Sequence, residues 1–357
     1  MTTIGRGRGV NFGGWFSQVD AIEEKDPSRF PGLVPHLDSF LGPDDFGLVA
    51  SWGFDHVRLP VDWQNVFTPD FSPREEILGR LDKAIADITG TGMQVIFDLH
   101  RCPGHDFHGG ITVEQPLFCD SDVLERVKRV WSYLAERYGA MEGVALELLN
   151  EPTARESDTW NRICGELFRC VREHAPRSTI VVGSNRWNHA SEFAHLTPID
   201  DDNVLYSFHF YNPVLFTHQK APWLSHPVFH ESRQYPGVIT LPEGADHRLP
   251  LEGGLWDRDR LAREIEAVTN FREKWNLPVS CDEFGVYKAG PDRICQLAWL
   301  RDLLGLLGER GIGWSYWNYR NLDFGIVSRG ESLFENDPCY ANEDRCDREL
   351  VELLRAV

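Results

Sequence analysis

Much that would direct a functional reading is missing from these 357 residues. The eight cysteines (Cys102, Cys119, Cys164, Cys170, Cys281, Cys295, Cys339 and Cys346) form no Cys-x-x-Cys pair, which argues against a zinc ribbon or a paired redox centre. In a reducing compartment they read as small buried hydrophobes, with Cys339 and Cys346 placed to bridge only if oxidised. No apolar run approaches a membrane span. The opening "MTTIGRGRGVNFGGW" has two arginines but no apolar stretch of signal-peptide length, so the expectation is a cytoplasmic protein with no membrane partner. Basic residues are scarce: 36 Lys and Arg stand against 55 Asp and Glu, a net charge of -19. That average field repels a phosphate backbone, which argues against a nucleic-acid partner. The charges are scattered rather than blocked, and there is neither a short repeat nor a low-complexity tract. No Gly-x-Gly-x-x-Gly follows the first apolar run, so no dinucleotide cofactor is expected. Nothing calls for an obligatory protein partner.

What is present is a repeating alternation. Short β-branched or aromatic runs occur at 9–15, 55–61, 94–100, 144–151, 179–184, 205–211, 278–284 and 313–319. Helical periodicity follows at 77–88, 123–138, 159–174, 260–275 and 294–307. Strand–helix alternation implies a parallel sheet. Eight such units over this length predict a single α/β domain, 1–357, built as a (β/α)₈ barrel. One connection is too long for that scheme. Residues 212–256, rich in Pro, His, Trp and Gly, predict an inserted subdomain over the barrel mouth.

Barrel enzymes carry their chemistry at the C-terminal strand ends. Here most strand ends are polar. Arg58 lies on strand two, His100 ends strand three, and "LELLNEP" ends strand four in Asn150 and Glu151. His209 and Tyr211 end strand six, Glu283 strand seven, and Trp317 strand eight. A lone strand-end glutamate is usually a solvated rim residue. Two of them, with His, Tyr, Arg and Trp at the same rim, form the minimum equipment for cutting a glycosidic bond. Glu147 alternates onto the inward face and reads as a buried structural acid, paired with Arg58. Asp282 precedes Glu283 and is expected to face the other way. His100, His105 and His108 match no metal-ligand spacing, so no metal site is expected. Of twelve tryptophans, Trp52, Trp131, Trp160, Trp275 and Trp299 sit in helical stretches and read as core. Trp15, Trp63, Trp187, Trp223 and Trp317 fall at strand ends or in loops and are candidate sugar platforms.

These residues resemble glycoside hydrolase family 5, the cellulase-like retaining β-glycosidases on a (β/α)₈ barrel. The resemblance covers essentially the whole chain. It rests on "GVNFGGWFSQV", "FDHVRLP", "ELLNEP", "FHFYNPVLFTHQKAPW" and "DEFGV", and is strongest to the non-secreted endoglucanase subgroup. It implies Glu151 as acid/base and Glu283 as nucleophile. It also implies Asn150 on the sugar 2-hydroxyl, Arg58 and Tyr211 orienting Glu283, His100 and His209 lining the cleaved sugar's site, and Trp317 stacking beneath that sugar. Asp282 stands where close relatives often carry a small residue. The mechanism needs opposite shifts, with Glu283 held ionised and Glu151 held protonated. The expected substrate is a β-glucan or cello-oligosaccharide, cleaved internally at β-1,4 bonds. An exo-acting β-glucosidase and a non-catalytic sugar-binding protein are the alternatives.

Overall fold

The two faces of each strand carry different side chains, and this fixes where the helices go. In the computed structural model, which describes residues 4–25, 27–28, 30–224, 226–241, 252–328 and 345–356, eight parallel strands close into a barrel. They are β1 (Arg8–Asn11), β2 (His56–Asp62), β3 (Gln94–Arg101), β4 (Val144–Glu147), β5 (Thr179–Gly183), β6 (Val204–Phe210), β7 (Val279–Phe284) and β8 (Gly313–Tyr316). β1 pairs with both β2 and β8, which closes the ring. Val57, Leu59, Val95, Phe97, Leu146, Ile180, Val182 and Phe208 face outward into the main apolar core, beneath the helices. The inward positions at the lower end, Ile96, Ala145, Val181 and Leu205, pack on Ile4 as a separate plug. Higher up, the inward positions turn polar, with Arg58, Asp98 and Glu147 fully buried. A strand buried on both faces has no solvent side to spend polar residues on, so these have another reason to be there.

The outer layer includes Pro43–Ser51, Glu75–Gly90, Ser121–Tyr138, Ser157–His174, Glu266–Trp275, Arg293–Glu309 and Arg348–Arg355. Trp131 and Tyr138 press on Phe97. After β5 the covering element is a single 3₁₀ turn, Ala190–Ala194, whose Phe193 packs edge-on against Phe208 and Phe271. The helix expected over 260–275 is two helices, because Ile265 leaves helical geometry (ψ 7°) between Arg258–Glu264 and Glu266–Trp275. Trp275 is not core. It ends its helix 46% exposed, with the Lys274 ammonium over its ring. Trp52, Trp131, Trp160 and Trp299 are buried as expected. No helix among the described residues is long and apolar enough to cross a membrane.

Several strands are shorter than their apolar runs. β4 stops at Glu147, so Asn150 and Glu151 belong to the turn beyond it rather than to the strand itself. Pairing therefore ends before Pro152 is reached. Within 212–256 the chain forms a short helix Val214–Thr217, a 3₁₀ turn Pro227–His230 and a two-stranded hairpin, Gly237–Ile239 with Gly254–Trp256. Its first part lies at the rim: Trp223 packs on Tyr287, and His218 packs on Tyr211 and Phe324. Its later part reaches the outer wall, where the Tyr235 hydroxyl donates to Asp302. Cys339 lies outside the described residues.

Candidate active site

Two β-bulges aim side chains into the barrel mouth. Between β2 and β3, Val61 pairs with Leu99 but Asp62 with Arg101, which leaves His100 as the extra residue. Between β6 and β7, Phe208 pairs with Cys281 but His209 with Glu283, which leaves Asp282 extra. A bulge lets two successive residues share a face. Cys281 and Phe284 both lie in the outer core, so Asp282 and Glu283 together turn inward. The expectation that Asp282 faces away is corrected by this. Its carboxylate is fully buried, has no hydrogen-bond partner among the described residues, and is close enough to Asp98 and Glu147 to raise both of their pKa values.

Arg58 is the hub of the site. Its Nε and Nη2 donate to the two oxygens of Glu147 at 2.7 and 2.9 Å. Nη1 donates to Asn11 at 3.0 Å and to Glu283 Oε1 at 2.5 Å. Nη2 also reaches Asn150 Oδ1 at 2.9 Å and Asp98 Oδ2 at 3.1 Å. All five guanidinium protons are thus committed. Burial alone would favour losing a proton, but Asp98, Glu147 and Glu283 reverse that and hold Arg58 charged. Glu147 is the buried, Arg58-paired acid read from the sequence; Asn11 and Asp98 join the same network and were not singled out. No local pattern marks them, since their role exists only once the ring closes.

Glu283 accepts from Arg58 and, on its other oxygen, from the Tyr211 hydroxyl at 3.1 Å. Glu151 Oε1 meets His209 Nδ1 at 2.9 Å, and His209 Nε2 lies 3.2 Å from the Asn188 amide. One oxygen of Glu151, one of Glu283 and one nitrogen of His209 lie within 4.8 Å of one another, a spacing that would also admit a cation. The two acids are not shifted in opposite directions. Burial raises Glu283 to about 7, against the pull of Arg58 and Tyr211. Burial and then the Glu283 charge raise Glu151 well above the carboxylate range. The asymmetry survives in their order. Arg58 and Tyr211 touch Glu283 alone, so it ionises first and leaves the proton on Glu151. Burial lowers His209 and His100, so both rings are neutral near pH 7.

His100 is oriented by Asp98, 2.7 Å from Nδ1, and lies parallel to Trp317 at 5.7 Å. Its Nε2 and the Asn150 amide nitrogen are buried without partners among the described residues. Two glycines make room for Trp317. A Cβ on Gly13 would meet its ring at 2.6 Å, and one on Gly285 its carbonyl oxygen at 2.5 Å. Gly13 of "NFGGW" is therefore space for this indole, and Gly285 of "EFG" is space for its main chain. Of the other candidate platforms, Trp15 is core, 5% exposed, with its N–H on the Leu37 carbonyl. Trp63 stacks on Phe71, and Trp187 donates to the Phe107 carbonyl. Trp223 is 44% exposed at the rim. His108 is exposed, whereas His105 is buried beside the Glu151 turn.

Comparison with known proteins gives a consistent picture. Residues 38–323 match the family description "Cellulase (glycosyl hydrolase family 5)". Endoglucanase C of Acetivibrio thermocellus is 32% identical over 362 residues, spanning 97% of each chain. Cellodextrinase A of Ruminococcus flavefaciens is 32% identical over 281 residues, 78% of this chain and 75% of that one. Among solved structures, subunit Z of the clostridial cellulose synthase from Clostridioides difficile superposes with a TM-score of 0.72 at 25% identity, covering 98% and 99% of the two chains. An endoglucanase of Thermotoga maritima shares the fold, with a TM-score of 0.74 at 22% identity over 98% and 97%.

Proposed function

The chain belongs to the cellulase family, glycosyl hydrolase family 5, and on that footing we propose that it cleaves internal β-1,4-glucosidic bonds in soluble β-glucans and cello-oligosaccharides by double displacement. Glu283 attacks the anomeric carbon while Glu151 protonates the departing oxygen. Glu151 then takes a proton from water, which releases the sugar from Glu283 with net retention. The observation that carries this reading is the close approach of the two carboxylates, within 4.8 Å oxygen to oxygen. Retaining pairs stand about 5–5.5 Å apart, whereas inverting pairs stand about 6.5–9.5 Å apart to admit a water. A second support is the order of ionisation. The group that must attack is the one held by a guanidinium and a phenol.

In this reading Asn150 meets the sugar 2-hydroxyl with its free amide nitrogen. His100 offers its unpartnered Nε2 to a neighbouring hydroxyl, and Trp317 presents an apolar face to the ring. His209 holds the Glu151 carboxyl at the mouth. The 212–256 insertion forms one wall of the cleft through His218 and Trp223, within a single 1–357 domain. An exo-acting β-glucosidase remains the competing reading, because an aromatic wall beside Tyr211 would close one end of the groove.

A panel of cellobiose to cellohexaose, lichenan, laminarin and mannan, with products identified, tests the substrate. Viscosity read alongside reducing ends separates the two modes of attack. Internal cleavage drops viscosity early; a slow fall matched to glucose release would overturn it. Glu283→Gln should bind cellotetraose and not turn it over, and α-anomer as first product would refute retention.

A further inference from the structure

We propose that His105 is a positioning residue for Glu151, acting through the main chain and not through the substrate; this rests on the reading of Glu151 as acid/base. Glu151 has φ 46°, the left-handed region. For a residue with a Cβ that conformation costs on the order of 1–3 kcal/mol and persists only where its surroundings enforce it. Every neighbour in the turn is tied. Asn150 N–H donates to the Leu99 carbonyl, Trp187 N–H to the Pro152 carbonyl, and Ala154 exchanges two hydrogen bonds with the Asn185 amide. Thr153, two residues on, is held by His105.

The His105 ring lies under this turn, where its Nε2 stands 3.4 Å from the hydroxyl of Thr153, two residues beyond Glu151. Among the described residues its Nδ1 has no hydrogen-bond partner. The ring is 4% exposed and packs edge-on against Phe118. Thr153 is anchored in turn, accepting from Gln115 Nε2 at 2.7 Å, while Gln115 exchanges two hydrogen bonds with the Asp106 main chain. The loop after β3 thereby clamps the turn after β4. That turn sets the direction in which the Glu151 carboxyl leaves the backbone and meets His209. Relaxing it to an ordinary φ swings the acid away from the leaving oxygen without touching Glu283.

An acid displaced by about 1 Å costs on the order of 100-fold when its proton is needed. A sugar leaving group needs that proton; dinitrophenolate does not. The test is kcat/KM of His105→Ala on cellotetraose and on 2,4-dinitrophenyl β-cellobioside, with Glu151→Ala beside it. Loss of about 100-fold on cellotetraose and under about threefold on the aryl substrate is expected, with azide raising kcat on the latter. His105→Gln, whose amide nitrogen reaches the Nε2 position, should recover most activity. Thr153→Val, which keeps the fold's packing if His105→Ala does not fold, should show the same selectivity at about threefold to tenfold. Equal loss on both substrates, or none on either, overturns the role of His105. If Glu151→Ala itself shows no leaving-group dependence, the acid/base assignment falls and this proposal with it.

Discussion

Removing a single oxygen, by Tyr211→Phe, isolates what holds Glu283 ready to attack. The hydroxyl donates to Glu283 Oε2 at 3.1 Å, and Arg58 holds the other oxygen at 2.5 Å. The next cationic or neutral donor, His209 Nδ1, stands 3.6 Å away, too far to substitute. The phenylalanine ring keeps the edge contacts with His218 and Phe324, so packing is conserved. A hydrogen bond to an ionised acceptor is worth about 1.5–3 kcal/mol. At 1.36 kcal/mol per unit, that is a rise of about 1–2 pK units in Glu283. Only the ionised form attacks, and Tyr211 binds the ionised form, so its loss moves the acid limb of kcat/KM toward alkaline pH from its starting value near 7. In the proposed mechanism the alkaline limb belongs to Glu151, and it stays. The bell narrows, and below the limb activity falls about 10- to 100-fold. The assay is kcat/KM on cellotetraose, whose sugar leaving group needs the Glu151 proton, from pH 4 to 9, with thermal unfolding as a folding control. A uniform loss at every pH with an unmoved acid limb would refute the reasoning and assign Tyr211 to the sugar instead.

Trp317→Ala removes the indole that lies parallel to His100, and the sugar loses its apolar floor. We expect kcat/KM on cellotetraose to fall by about tenfold or more, given that aromatic contacts add about 1 kcal/mol beyond buried area; unchanged kinetics would move the platform to Trp223. Stability should depend on pH in a fixed direction. Burial raises Asp62, Asp98 and Glu283 to about 7 and Glu147 to about 8, so their contribution is full below about pH 4 and is lost as pH climbs through 7–8. Burial lowers His100, His105, His209 and His218, and their contribution is lost instead as pH falls below about 6.5. Between about pH 4 and 6.5 the two trends oppose each other, so the midpoint of thermal unfolding should change little there and drop from pH 6.5 to 8, before any lysine titrates; a midpoint that rises from pH 6.5 to 8 would contradict the buried-acid network.

The barrel was legible because its signal is repeated. Eight apolar runs, each followed by a helical period or a loop, leave little alternative, and the outward positions such as Phe97 and Val182 obey the two-residue period. The rim residues were legible for a related reason: ionisable groups at the ends of apolar runs have no structural excuse. What the period could not convey is where it breaks. His100 and Asp282 are each the unpaired residue of a bulge, and a bulge is a relation between two strands with no local marker in either. Strict alternation turned Asp282 outward for that reason. The turn carrying Glu151 is illegible in the same way. Its left-handed backbone is enforced through its neighbours by Leu99, Asn185, Trp187 and His105, which lie 34 to 52 positions from it along the chain.

The shared direction of the two acid shifts follows from the same omission. Read from the sequence, burial and the Glu283 charge raise Glu151 while Arg58 holds Glu283 down; burial of Glu283 itself is what that reading lacks. In a closed ring, one guanidinium faces Asp98, Glu147 and Glu283 directly, with Asp282 and Glu151 within electrostatic reach. One positive charge cannot offset that many buried negative ones, so protons must be retained in the cluster near neutral pH. What distinguishes the proposed nucleophile from the proposed acid is then contact: Arg58 and Tyr211 bond to Glu283, and neither bonds to Glu151. Specific donors, more than net charge, decide which carboxylate gives up its proton first.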